Sequence, residues 1–209
     1  MKQVDKKWVD NKMRMLSSRL GIFKMNPLEF YFEPDKEIYK RLSSGEEKDL
    51  QYVSLKIASH LGITYIPTVR YDWGLKMGPE VAGQAKITNI SREIRIPFFY
   101  VGKKYALGSI LAHEITHTFL IPKGIILNDI NENEMFTDLS TVFLGLGKLF
   151  LNGLVNETKQ HSSIEYRLGY LSVDLVTYCY KKVIEYRSIS DTIAMRNLLP
   201  EIKKMIRNV

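Results

Sequence analysis

Apolar residues recur every three to four positions along several stretches of this chain, and between 64 and 100 they gather instead into short runs. Leu50, Val53, Ile57 and Leu61 make one stripe at helical spacing, which Gly62 ends. Ser44 followed by Glu47 has the form of a capping box, in which each side chain bonds a backbone N–H left unpaired by the first turn. The pattern therefore predicts an amphipathic helix starting there. Positions 109–120, 133 to about 151, 172–186 and 190–207 also read as helices. In the stretch 64–100, Ile66, Val69, Ile87, Ile90, Ile94, Ile96 and Phe98 fall in β-rich runs broken by Pro67, Gly74, Gly78, Pro79 and Gly83, which predicts a small antiparallel sheet. Pro97 lacks a backbone donor and marks the last of these runs as an edge strand. An edge strand beside a helix that carries chemistry lets an extended peptide pair with its open backbone groups.

The first forty residues mix charges with Trp8, Met13, Met15, Leu16, Leu20 and Phe23, a pattern that fits a short helix and a loose connection ending near Pro27 and Pro34. The expected organisation is an N-terminal helical or extended arm, 1–43, followed by one domain, 44–209. The fold class is α+β, with a helix-dominated C-terminal half and no internal repeats. The apolar run 139–155 contains Lys148, Asn152, Gly145 and Gly147 and is barely long enough to cross a bilayer. It reads as a buried core helix, with no membrane partner.

The bulk numbers change this picture little. At 209 residues the chain suits a single core, and its net charge of +7 comes from 30 Lys and Arg spread along the whole length. No dense basic block points to nucleic acid, so a nucleic-acid partner ranks below a peptide or protein substrate. Residues 1–15 carry charges throughout and lack the apolar stretch of a secretory signal, while Cys179 alone cannot form an intrachain disulfide. Both features lead to the expectation of a cytoplasmic protein.

The chemistry begins at His113-Glu114-Ile115-Thr116-His117, the pattern H-E-x-x-H within an apolar helical run. Residues four apart share a helix face, so both imidazoles can reach one ion, and Glu114 stands beside it to act on a bound water. Zn2+ accepts this nitrogen geometry, and a catalytic zinc needs a third protein ligand and an open position. Glu134 and Asp138, again four apart at the start of a helix, supply two carboxylates on one face. One can ligate the metal while the other takes the ring N–H of a liganding histidine. Asp129, Glu132 and His161 are alternative ligands without a partner at helical spacing. A third histidine of the metzincin kind is excluded, because position 123 is Lys. His161, Tyr166, Arg167 and Tyr170 have the chemical types that stabilise a developing oxyanion, with Tyr170 and Arg167 as the named candidates.

His-Glu-Ile-Thr-His with Asn-Glu-Met-Phe-Thr-Asp resembles the gluzincin signature of thermolysin-like and related metallopeptidases. The resemblance implies a zincin-like fold, Glu134 as third zinc ligand, and Asp138 as the buttress of a histidine. The seventeen-residue gap from His117 to Glu134 is compact for that superfamily. More narrowly, Thr137-Asp138-Leu139, the run 142–147 and Gly169-Tyr170-Leu171-Ser172 look like a group of uncharacterised bacterial H-E-x-x-H proteins, over about 82–180. This likeness implies a metal-dependent hydrolase and brings no known substrate. The function expected from the motifs is a zinc-dependent metallopeptidase that cleaves a peptide bond with water activated by Glu114. The competing expectation is a non-catalytic binding or regulatory module with a structural or vestigial metal site.

Overall fold

A computed structural model describes residues 4–21, 29–74, 83–87, 92–160 and 168–209. Helix α1 (Lys6–Leu20) starts where Asp5 accepts the Trp8 N–H, and buries Trp8, Val9, Met13 and Leu16. These four belong to the same core as the residues beyond 44. Helix α2 (Lys36–Leu42), which the sequence pattern did not indicate, is capped by Asp35 and buries Ile38 and Leu42.

The expected capping box does not form. Helix α3 (Glu47–His60) begins after an N-cap at Glu46 that makes no side-chain bond. Ser44 closes the preceding turn instead, donating to the Arg41 carbonyl, while the Glu47 carboxylate accepts the Tyr71 N–H at 2.7 Å. A tertiary partner has taken the side chain that local pattern assigned to the cap.

The sheet also differs from expectation. Strands β1 (Thr68–Asp72), β2 (Gln84–Ile87) and β3 (Arg92–Pro97) lie in the order β1-β3-β2, with β1 parallel and β2 antiparallel to β3. The sheet is therefore mixed, and β3 is central rather than an edge. Pro97 is tolerated because it ends the strand, opposite Asp72, where a missing donor interrupts no further ladder. Ile94 and Ile96 face the core, and Arg95 on the other side pairs with Glu93 and Asp72. The outer strand that adjoins the next helix is β2.

That helix, α4 (Lys104–Leu120), starts five residues before its sequence pattern suggested and is buried along nearly its whole length. Each fully buried Leu or Ile on it contributes about 1.5–3 kcal/mol through removal from water. Helices α5 (Ile130–Thr141) and α6 (Gly147–Gln160) follow, joined by a π-turn over Val142–Leu146. Gly145 makes that turn possible: its φ is +89°, and a Cβ there would meet the Phe30 carbonyl. Carbonyls released by the turn are satisfied elsewhere, that of Gly145 by the Phe32 N–H and that of Leu144 by His60.

The run Ile130–Asn156 is apolar and long enough to cross a membrane, yet its apolar window is entirely buried within the protein, as expected for a core helix. Its polar members are paired inside. Lys148 donates to Glu33 and to the Ile193 carbonyl, and Asn152 donates to Tyr39 and the Asn197 carbonyl. Helix α7 (Val173–Tyr186) is capped by Ser172, one residue inside the expected start. The helix expected over 190–207 is two: α8 (Asp191–Met195) and α9 (Pro200–Asn208). Asn197 at φ +61° and Pro200 at the first helical position impose the break.

Candidate metal centre

Helix α4 presents His113 and His117 one turn apart, and α5 presents Glu134 and Asp138 one turn apart. Asp129 sets where α5 begins, accepting the Glu132 N–H at 2.7 Å, and thereby fixes which face its acids occupy. The Thr116 and Thr141 hydroxyls meet at 3.1 Å between the two helices.

Three atoms converge. His113 Nε2, His117 Nε2 and Glu134 Oε2 form a triangle with all three sides 3.1 Å. Two ligand atoms on a tetrahedral zinc at bond lengths of about 2.0–2.1 Å stand about 3.3 Å apart. The far nitrogens of both rings are occupied. His113 Nδ1 donates to Asp138 Oδ1 at 2.9 Å. Thr137 gives its hydroxyl proton to the Asn133 carbonyl, so its oxygen is left to accept from His117 Nδ1 at 3.4 Å. In its neutral form each imidazole thus turns a lone pair on Nε2 toward the carboxylate of Glu134. Three lone-pair donors aimed at one point fit a cation, and His113, His117 and Glu134 can together hold a metal ion.

The electrostatics of the pocket agree. Burial opposes charge on His113, but hydrogen bonds to Asp138 and Glu134 outweigh it and carry its pKa up to about 10. Burial likewise disfavours an ionised Glu134, but hydrogen bonds with His113 and His117 outweigh it and hold its pKa at about 2. Protons and a metal ion therefore compete for the same electronegative point.

Asp138 is fully buried and accepts three hydrogen bonds, two of them on Oδ2 from the backbone N–H groups of Tyr170 and Leu171. Gly169 admits this loop: φ is +79°, and a Cβ would lie 3.2 Å from Asp138 Oδ2 and 2.9 Å from Leu154. The Tyr170 ring lies against His113 with centroids 6.0 Å apart and planes at 26°. Arg167, with His161 and Tyr166, lies outside the described residues.

Glu114 is buried, and Gly83, immediately before β2, sits directly against it. A Cβ at Gly83 would fall 3.0 Å from Glu114 Oε1 and 2.7 Å from Ile110. The site reaches solvent on one side, since the Glu134 side chain is 20% exposed. Beyond the ligands the same helix faces run outward into exposed isoleucines, Ile121 four residues after His117 and Ile130 four residues before Glu134.

The alternative ligands are engaged elsewhere: Asp129 is the α5 cap, and Glu132 accepts from Trp8 and Lys12. Sequence reasoning missed Thr137, Gly83 and the two loop N–H groups. Thr137 alone carried a signal, lying four residues after Asn133 and directly before Asp138. Comparison of the chain with protein families, curated proteins and solved structures finds no match.

Proposed function

We propose that the protein is a zinc-dependent hydrolase of the gluzincin type with a zincin-like fold, acting as a metallopeptidase on a peptide or protein. The observation that carries this reading is the 3.1 Å triangle of His113, His117 and Glu134, with both histidines oriented by partners on their far nitrogens. Zinc held there would supply a Lewis acid and a water of lowered pKa.

The chain's own groups supply the rest. Glu114, next to His113 and buried, takes a proton from the attacking water and passes it to the leaving amine. Gly83 leaves that carboxylate room. The outer side of β2 adjoins no other strand among the described residues, so an extended substrate can pair there, above Glu114. Tyr170, whose ring lies against His113, is the candidate for stabilising the oxyanion; Arg167 is a candidate by chemical type alone. Exposure of the Glu134 carboxylate favours an open coordination position over the closed shell of a structural site.

Zinc content of the wild type beside Glu134→Ala, followed by Glu114→Gln on a peptide library, tests the proposal. One zinc per wild-type chain, strong loss in Glu134→Ala, and a Glu114→Gln protein that keeps zinc but not turnover are expected. A wild type that takes up no added zinc, or undiminished turnover in Glu114→Gln, refutes it.

A further inference from the structure

We propose that helix α1 positions the metal ligand Glu134, acting through Trp8 and Lys12 on Glu132; this rests on the metal-site reading above. Glu134 is only the fifth residue of α5, close to the end of a helix where backbone groups lack intrahelical partners and fraying starts. Metal–ligand distances hold to within about 0.2 Å, so looseness that an ordinary helix end tolerates costs a metal centre a ligand.

Three contacts pin this end of α5. Asp129 caps it, Asn133 accepts the Leu127 N–H at 2.9 Å, and α1 grips Glu132 from outside. The Trp8 indole donates to Glu132 Oε1 at 3.1 Å and the Lys12 ammonium meets the same oxygen at 2.9 Å. Glu132 stands two residues before the ligand, in the turn that must stay wound for Glu134 to point at His113 and His117. Trp8 is 9% exposed and seated in the core, and Lys12 also lies 5.9 Å from the Phe136 ring centroid, so the grip has an anchored base. The same contact holds a carboxylate two residues from the ligand on α1, where it does not compete for the ion.

Trp8 and Lys12 are positioning residues, and their effect reads out in metal affinity rather than in turnover. The double variant Trp8→Phe/Lys12→Met keeps both hydrophobic stems and removes both donors; its zinc Kd is expected to rise about tenfold, at the lower end of the cost of losing a supporting contact. Asp10→Asn serves as control, because Asp10 ties the same helix to Tyr178 on α7, away from Glu132. Its zinc Kd is expected to match wild type, even where both variants lower the melting temperature of the metal-free protein alike. Equal zinc Kd in wild type and double variant overturns the inference, and so does an equal rise in Asp10→Asn. Should the double variant fail to fold, Glu132→Gln keeps an acceptor for Trp8 but loses the ion pair. A raised zinc Kd in it supports the inference, and an unchanged one overturns it. A wild type that binds no zinc fails at the earlier step and removes the metal-site reading itself.

Discussion

Asp138→Asn separates the geometry of the site from its charge. In the folded protein Asp138 Oδ2 accepts from the Tyr170 and Leu171 N–H groups, and Oδ1 accepts from His113 Nδ1. An asparagine of the same shape can keep its single carbonyl toward the two backbone donors, so the loop stays attached. Its NH2 group then faces His113, where two donors cannot meet. The imidazole must move its proton to Nε2, the atom that points at Glu134 and His117. A protonated Nε2 has no lone pair for a metal. The lost hydrogen bond to a charged acceptor is worth about 1.5–3 kcal/mol. At about 1.4 kcal/mol per factor of ten, this predicts a zinc Kd raised about 10- to 150-fold. Competition against a chromophoric chelator measures that change, and thermal unfolding of the metal-free variant checks that the fold persists. A folded Asp138→Asn protein with wild-type zinc affinity would refute the assigned tautomer of His113, and with it the role of Asp138.

Two further expectations follow from the same residues. The metal-free protein should lose stability as pH rises from His113's ordinary 6.5 through about 10, because the folded state binds that proton more tightly than the unfolded chain, and should also lose it as pH falls from 4.5 toward the pKa of about 2 held by Glu134. Added zinc should stabilise more strongly across the upper window, and melting curves with and without zinc from pH 5 to 10 that run parallel contradict this. Gly83→Ala should displace the Glu114 carboxylate and lower kcat while zinc content stays at wild type; unaltered kcat on the peptide found for the wild type would show that the space beside Glu114 is not needed.

The pairs His113/His117 and Glu134/Asp138 were legible in the sequence because a helix fixes the geometry of residues four apart, and nothing outside α4 or α5 is needed to place each pair on one face. The helix expected over 172–186 and the buried character of 139–155 were legible for the same local reason. What local pattern could not give were decisions made by distant partners. Glu47 served a strand rather than a cap, and Pro97 ended a central strand that its missing donor had suggested was an edge. The parallel pairing of β1 with β3 depends on how the chain returns through β2, which no alternation of side chains encodes. Gly83 and Gly169 illustrate the same limit. Each matters for the side chain that approaches it, Glu114 or Asp138, and neither shows in the spacing of the motifs.

The attachment of Asp138 to Tyr170 and Leu171 also orders events during synthesis. Both α4 and α5 are fully synthesised 29 residues before the first of those two donors, Tyr170, is added. Until they arrive, the carboxylate that orients His113 lacks two of its three partners, and a nascent chain carrying the complete H-E-x-x-H signature has no finished place for a metal. On the metal-site reading, loading would wait until translation has passed Leu171, and a chain cut short before that point would keep the motif without the two N–H groups that hold Asp138.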